Sequence, residues 1–525
     1  MTSSTSLQHS PLNTLPEWHK FVNAVDSTVI DPSQPRILEA AGISFDFSTQ
    51  RYSDNMLKSG ADLLELRHFD KKKQQLFNGA VLNKTEGRPA WHTMLRQPRP
   101  TPEVAYEFNR VLEFIRRADS NRRWKNIVHI GIGGSDWGVR LAVAAFGYKG
   151  TWRNIRYVAN IDGHAIEAGL AGLDPHDTLV VIATKSFTTS ETMTNAQRAL
   201  EWLQAAKVPD PYNNIIAITA KPEVAKAWGV PEYNIFKFWE WVGGRFSIWS
   251  AIGAAVGLTV GTEVLAGLQN GAHAMDQHFL HTPVENNVPV QMALIEIANR
   301  SVLGLPSRNL AVYDSRLANL IPYLQQLEME SLGKSVNTQG EPIDAPTGGI
   351  VWGMPGTDAQ HTFFQWLHQG TDEAPVDFIV CQQDDHNLPE HHQHLLSHCL
   401  AQREGLLKGK SLEEAYAENI ASGMSHEQAQ SLAKHRTLPG NRASSLIVLP
   451  KLTPFTLGAL LAMYEHKVFV QSVIWDINPF DQWGVELGKV LAKDIFTELK
   501  TGVLDSDKHD ASTNYWIQQF AQLNT

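Results

Sequence analysis

Cysteine is nearly absent, with only Cys381 and Cys399 in 525 residues. That excludes a disulfide framework and points to a reducing compartment, the cytoplasm, with both thiols as ordinary core side chains. Charge is also sparse. Asp, Glu, Lys and Arg together make up 19% of the chain, below the roughly 25% of ordinary globular proteins, so part of the surface is expected to be covered by another subunit. The formal net charge of −10 excludes a general polyanion binder, and with it nucleic acid, while leaving room for a local cationic patch that holds one small phosphate. Long apolar runs are missing too. The longest uncharged stretch, between Arg245 and Glu263, is diluted by Ser, Thr and Gly and reads as a buried helix, not a membrane span. The first seven residues, Met1 to Leu7, have no basic segment followed by an apolar one and are read as a short disordered tail, not a signal peptide.

What is present suits a large globular chain. A hydrophobic content of 43% with 15 Trp can fill several cores, and the length suggests roughly three or four domain-sized units, some of them fused. Up to about residue 110 the pattern is helical and mixed; Asp54 to Phe69 is amphipathic, and Lys71, Lys72 and Lys73 read as a solvated face. From Asn126 short apolar runs alternate with helical patterns. Residues 127–131, 155–159, 178–183 and 214–219 read as strands, and the texture returns at 309–313, 376–380 and 445–449. This predicts an α/β protein with two doubly wound parallel-sheet domains. The expected division is a helical segment over 1–110 packed on the larger domain, α/β domains over 111–275 and 276–490, and a helical arm over 491–525. A polar helical insertion is expected near 389–435.

Two loops on the first sheet could hold an anion. Gly131-Ile-Gly-Gly-Ser-Asp-Trp-Gly138 follows a strand and opens a helix, so its N–H groups and the Ser135 hydroxyl would face an anion at the helix start. Asp136 stands where a dinucleotide fingerprint needs its last Gly, so that reading fails; the segment could also be only a tight turn. After the third strand, Thr184, Lys185, Ser186 and Thr189 combine hydroxyl donors with one cation, although a helix cap would use the same hydroxyls. Gly405 to Ser411 is one residue short of a nucleotide P-loop and reads as a helix end. His391, His392, His394 and His398 follow Asp384 and Asp385 without an HExxH pattern and read as an exposed helix face rather than a metal site.

A second set of residues could move protons. Glu330 and His361 bracket a Gly- and Pro-rich stretch, and a carboxylate with a histidine is the minimum for general acid–base work. Gln326 would share a helix face with Glu330. Arg245 lies between Gly243-Gly244 and an apolar run, placed to stabilise an oxyanion if that run is buried. Gln482 and Lys489 are seven apart, again on one helix face. Taken singly, each could be an ordinary surface or salt-bridge residue.

Together these motifs resemble the glucose-6-phosphate isomerase (phosphoglucose isomerase) family, in the family's order. The matching strings are Gly131-Ile-Gly-Gly-Ser-Asp, Thr184-Lys-Ser-Phe-Thr-Thr, Val242-Gly-Gly-Arg-Phe-Ser-Ile-Trp-Ser-Ala-Ile-Gly, Glu330-Ser-x-Gly-Lys, Gly356-Thr-Asp-Ala-Gln-His361 and Phe480-Asp-Gln-Trp-Gly-Val-Glu-Leu-Gly-Lys489; Asn83-Lys-Thr-Glu-Gly-Arg is also similar. The resemblance implies a pair of sugar-isomerase (SIS-type) domains and a homodimer whose active sites lie at the subunit interface, working on a sugar phosphate without metal or redox cofactor. It implies phosphate binding by Ser135, Thr184, Lys185, Ser186 and Thr189, and proton shuttling between C1 and C2 by Glu330. It further implies cis-enediolate stabilisation by Arg245, and ring opening by His361, from the neighbouring subunit, with Lys489. Gln326 and Gln482 would contact sugar hydroxyls, and Gly134 and Gly244 would admit backbone close to the sugar. The chain departs from the family's usual residues at Thr184, Ser186, Leu332, Asp358 and Ala359. A non-catalytic sugar-phosphate sensor and a dual phosphoglucose/phosphomannose isomerase are the alternatives; a sensor would leave Glu330 remote from the sugar.

Overall fold

Short β-rich runs bounded by polar turns become strands, and among the described residues eleven of them form two sheets. The computed structural model describes residues 8–505 and 507–522; the expected tail at 1–7 lies outside them. The chain divides into two compact units, Met1–Pro479 and Phe480–Thr525.

Both sheets belong to the first unit. The strands are β1 (Ile37–Ala40), β2 (Ile43–Thr49), β3 (Asn126–Ile130), β4 (Asn154–Val158), β5 (Thr178–Ala183), β6 (Ile215–Thr219), β7 (Ile235–Lys237), β8 (Ser307–Tyr313), β9 (Ile350–Pro355), β10 (Val376–Gln383) and β11 (Ser444–Lys451). One sheet runs β4-β3-β5-β6-β7, all parallel. The other runs β1-β2-β11-β10-β8-β9, with β9-β8-β10-β11 parallel and β2 antiparallel to β11. β5 and β6 are buried at every position, as expected where helices cover both faces. The α/β class with two parallel sheets is therefore the observed fold.

In each parallel block the second strand lies on one side of the first, and the third and fourth on the other. The order thus reverses between β3 and β5 in one sheet and between β8 and β10 in the other. Crevices at the carboxyl ends of such strand pairs are where doubly wound sheets bind ligands.

Several details differ from the sequence pattern. The N-terminal hundred residues, expected to be helical, also supply the β1–β2 hairpin, and β7 and β9 were too short or too Gly/Pro-interrupted to read as strands. The lysine run is not a solvated face: Lys73 is buried and pairs with Asp70 at 3.1 Å, and Lys72 lies 3.6 Å from the buried Asp476. The apolar run after Arg245 is buried but broken into 3-10 turns, Gly244–Trp249 and Ala251–Gly253, before a short helix, Ala254–Val260. The polar insertion forms helices Pro389–Lys408, Leu412–Ala421 and His426–Arg436. Cys381 and Cys399 are free and buried. Among the described residues no helix is long and apolar enough to cross a membrane.

The first unit is built around the crossing of helices Thr262–His281 and Pro454–Trp475. The second of these is buried from Thr456 to Trp475. At Gly458 a Cβ would collide with the Leu268 carbonyl, so glycine sets how closely the helices approach. Charges in this interior are paired. Arg96 chelates Asp276 through Nε and Nη2, at 2.8 and 2.7 Å, and its Nη1 donates to Glu465. Glu465 also accepts from the Trp249 indole at 2.8 Å, and His466 lies 2.7 Å from Asp276. Arg96, Asp276 and Glu465 have fully buried side chains. Arg96→Met would leave two buried carboxylates with only the His466 and His92 imidazoles nearby; the expected loss is about 3–5 kcal/mol, read as a lower urea midpoint, with Ala substitution of an exposed arginine such as Arg436 as the control.

Candidate active site

The reversal point at β3/β5 brings the two anion-type loops side by side. The turn after β3 is held from beneath: the buried His129 ring shares a 2.8 Å hydrogen bond with the Ser135 carbonyl, and Asp136 accepts from Arg140 at 2.6 Å. Asp136, which breaks the dinucleotide fingerprint, therefore serves the turn itself. After β5, Thr184 Oγ1 and Thr189 Oγ1 are 2.9 Å apart, closing the loop on itself, and Ser186 Oγ accepts from Thr188 Oγ1 at 2.8 Å. Phe187 sits at the apex with φ +55°, a left-handed conformation costly for an aromatic residue, and its side chain is buried as an anchor.

Lys185 turns back under this loop, donating to the carbonyls of Glu240 at 2.7 Å and Val242 at 3.0 Å. Burial lowers the ammonium's pKa and the Arg88 guanidinium lowers it further; the carboxylates of Glu240 and Glu86 only partly offset this, leaving Lys185 at about 8. Arg88 itself donates to Glu240 at 3.1 Å. The Asn83–Arg88 segment thus borders the phosphate-type loop, and Asn478 donates to Asn83 and Thr85 at 2.9 Å each.

The proton-moving residues converge on the same edge. Residues Gln325–Glu330 form a π-helical turn, which widens the helix and puts Gln326 over Glu330; Gln326 Nε2 donates to Glu330 Oε2 at 3.0 Å. The intervening Glu328 faces the opposite way and joins a buried ion cluster with Arg308 and Lys467. Arg245, itself buried, reaches Glu330 Oε2 at 3.3 Å, donates through Nε to Ser331 Oγ at 2.7 Å and through Nη2 to the Pro479 carbonyl. The first loop fits between these groups. A Cβ on Gly133 would stand 2.9 Å from Gln326 Nε2, and one on Gly134 would overlap the Gly244 carbonyl. Ser247 adds a 3.1 Å hydrogen bond to the Gly134 carbonyl. Gly134 is therefore required by the close passage of two backbones.

Within the first unit, then, Gly134, Ser135, Thr184, Lys185, Ser186, Thr189, Gly244, Arg245, Gln326 and Glu330 occupy one sheet edge and the elements packed on it. His361 is elsewhere. It follows the short helix Gly356–Gln360 after β9, is exposed, and no contact joins it to Glu330 or Arg245 among the described residues. Gln482 and Lys489 belong to the second unit. Gln482 precedes the turn Trp483–Val485, and Lys489, in helix Glu486–Thr501, is exposed and pairs with Glu486 at 2.7 Å. Sequence reading missed Ser331, Glu240 and Arg88 as supports of Arg245 and Lys185. Ser331 was available as the neighbour of Glu330, but nothing local marks Glu240, whose role comes from tertiary contact alone.

The phosphoglucose isomerase family pattern matches residues 46–517. The glucose-6-phosphate isomerase of Bordetella pertussis is 50% identical over 512 residues, covering 97% of this chain and 98% of that one. The glucose-6-phosphate isomerase of Burkholderia orbicola is 41% identical over 496 residues, covering 92% and 91%. The crystal structure of a glucose-6-phosphate isomerase from Chlamydia trachomatis matches with TM-score 0.84 at 29% identity, covering 98% of this chain and all of that one.

The depressed Lys185 gives the loop a pH signature. Its charged form is the one that attracts an anion, so affinity for a simple phosphate monoester is expected to be full below about pH 8 and to fall as pH rises through it, while the ester stays dianionic. Calorimetric titrations between pH 7 and 10 should show this decline, and Lys185→Met should bind weakly and flatten it; an unchanged profile in the variant would remove Lys185 from the anion site.

Proposed function

For a chain that belongs to the phosphoglucose isomerase family and interconverts glucose 6-phosphate and fructose 6-phosphate, we propose that the edge between β3 and β5 is the catalytic centre. The observation that carries this reading is the Arg245–Glu330–Gln326 cluster set against the Gly133–Gly134 turn, with the hydroxyl- and lysine-bearing loop on the adjacent strand. A non-catalytic sensor would need Glu330 remote from the sugar, whereas here the carboxylate adjoins the phosphate loops.

In this mechanism Ser135, Thr184, Lys185, Ser186 and Thr189 hold the phosphate and so fix the far end of the open-chain sugar. The Glu330 carboxylate removes the proton from C2 of the aldose; the electron pair moves to form the C1–C2 double bond, and negative charge develops on oxygen. Arg245, already desolvated and aimed by Ser331 and the Pro479 carbonyl, stabilises that charge without reorganising. A proton passes from the C2 hydroxyl to the C1 oxygen, and Glu330 returns its own proton to C1, leaving C2 as the carbonyl of the ketose. Proton, electrons and charge balance within substrate and carboxyl, so the exchange calls on no metal or redox cofactor. Gln326 and Gln482 orient sugar hydroxyls, Gly134 and Gly244 let backbone approach the sugar, and His361 with Lys489 opens the ring.

We assign His361 to the neighbouring subunit of a homodimer. Its exposure after β9 supports this, as does the apolar surface of the second unit, where Leu487, Val490, Phe496, Trp516 and Phe520 are each about half exposed or more. Helices Glu486–Thr501 and Ala511–Gln522 also enclose an apolar groove lined by Ile495, Leu499, Trp516 and Phe520, suited to covering a partner. Free thiols at Cys381 and Cys399 fit a cytoplasmic enzyme.

Glu330→Gln keeps the Gln326 and Arg245 neighbours but has no base. Fructose 6-phosphate turnover, coupled to a glucose-6-phosphate dehydrogenase, should fall about 10²–10⁴-fold while substrate binding persists; wild-type turnover by the variant would refute the assignment. The shared site makes a separate prediction. Glu330→Gln and His361→Ala homodimers should both be nearly inactive, yet unfolding and refolding them together should restore about a quarter of wild-type activity, since half of the dimers would be mixed and each would rebuild one intact site. If both residues serve one site in one chain, mixing restores nothing.

A further inference from the structure

The second sheet has a reversal point of its own, at β8/β10, and the catalytic reading above makes no use of it. Its residues differ in kind from those at β3/β5. Asp314, at the end of β8, chelates Arg316 through both carboxylate oxygens, at 2.9 and 2.6 Å, and Arg316 Nη1 reaches Asp385 at 2.8 Å. The chain's own guanidinium and two carboxylates thus fill the place where a phosphate would sit. Lys149 Nζ donates to the Asp385 carbonyl at 3.0 Å and further pins the loop after β10. With Asp385 held inward, its neighbours Asp384 and His386 project from the same turn beside His392, near the start of helix Pro389–Lys408.

Among the described residues, Asp384, His386 and His392 are the one group of three whose ligand atoms all lie within 4.8 Å of one another. A tetrahedral site with bonds near 2.0–2.1 Å needs ligand atoms about 3.4 Å apart, a contraction that side-chain rotation at this partly exposed position supplies. The His392 ring supports ligation. Its Nε2 lies 3.0 Å from the Gln382 carbonyl; with Nε2–H donated there, Nδ1 keeps its lone pair for a metal, the arrangement of most metal-bound imidazoles. His386 Nδ1 accepts the Leu388 N–H at 3.2 Å, so its lone pair is unprotonated as well, and a cation there would displace only an exposed amide.

We propose that the β8/β10 crevice binds one divalent transition-metal ion of the zinc class through Asp384, His386 and His392, with water completing the coordination. Two imidazoles and one carboxylate favour a borderline ion such as Zn²⁺ over Mg²⁺ or Ca²⁺, which take all-oxygen sites. The site is separate from the sugar-phosphate centre: it lies on the other sheet and shares none of its residues.

The test is calorimetric titration of the full-length protein with zinc chloride, with magnesium chloride as a parallel probe. One saturable Zn²⁺ per chain is expected and no comparable Mg²⁺ binding. Asp384→Asn, His386→Ala and His392→Ala should each weaken Zn²⁺ binding at least tenfold. His391→Ala combined with His394→Ala, which removes neighbouring exposed histidines, should leave it unchanged. Far-ultraviolet circular dichroism and isomerase turnover without added metal should stay at wild-type levels in all variants, showing that fold and catalytic centre are intact. Absence of saturable binding to the wild type, affinity kept within threefold by the His386 and His392 variants, or loss following His391 and His394 instead would each overturn the proposal.

Discussion

A buried guanidinium must satisfy its donors where it stands, and Arg245 does so by holding three segments together. Its Nε binds Ser331, its Nη1 meets Glu330, and its Nη2 binds the Pro479 carbonyl. An arginine with its side chain 2% exposed has no solvent to fall back on, so each partner is constrained in position as strongly as Arg245 is. The same contacts aim the cation and set the orientation of the Glu330 carboxylate. In a reaction through a charged intermediate, that fixed dipole pattern is more useful than a flexible one, because nothing has to reorganise as charge develops.

The glycines extend this constraint to the substrate loops. Because Gly134 admits the Gly244 carbonyl, the turn that offers N–H groups to an anion and the turn that carries Arg245 cannot move independently. Lys185 adds another link. It is bonded to the carbonyls of Glu240 and Val242, three to five residues before Arg245, so the phosphate-type loop and the Arg245 guanidinium share one connecting segment. Binding the phosphate end of a sugar would thus bear directly on the geometry at the reacting end, which is how remote binding interactions can serve the chemical step.

Much of this was legible in the sequence, and the rest was hidden for definite reasons. β5 and β6 read clearly because a strand buried on both faces is a continuous apolar run. β9 did not, since Gly353 and Pro355 dilute it, and the β1–β2 hairpin did not because it carries the Glu39, Ser44 and Asp46 side chains of a half-exposed edge. Arg245 and Glu330 were legible through motif strings and the Gln326–Glu330 pair through its four-residue spacing, but the approach of Arg245 to Glu330 was not, because it joins segments far apart in sequence. Lys72 and Lys73 read as solvated because a lysine run usually is; their burial comes from Asp476 and from the Phe69 and Phe279 rings beside Lys73, far away in sequence or invisible to a charge count.

Comparison of the two reversal points separates what the fold provides from what the residues decide. Both parallel blocks share one strand order, so both present a crevice at the carboxyl ends of the same pair of strands. At β3/β5 the loops bring hydroxyls, glycine N–H groups and a lysine whose ammonium donates to two carbonyls and lies 3.7 Å from the Glu240 carboxylate, a surface with donors to offer a dianion. At β8/β10 the loops bring Asp314 and Asp385, and Arg316 is already consumed by them. An anion entering there would have to displace two bound carboxylates and then face their charge. The architecture offers a ligand crevice twice, and the charges that line them suit an anion at only one. His361 lies after β9, at the outer edge of the second sheet, and is exposed there, so the second sheet contributes no residue to the Arg245–Glu330–Gln326 cluster through that histidine.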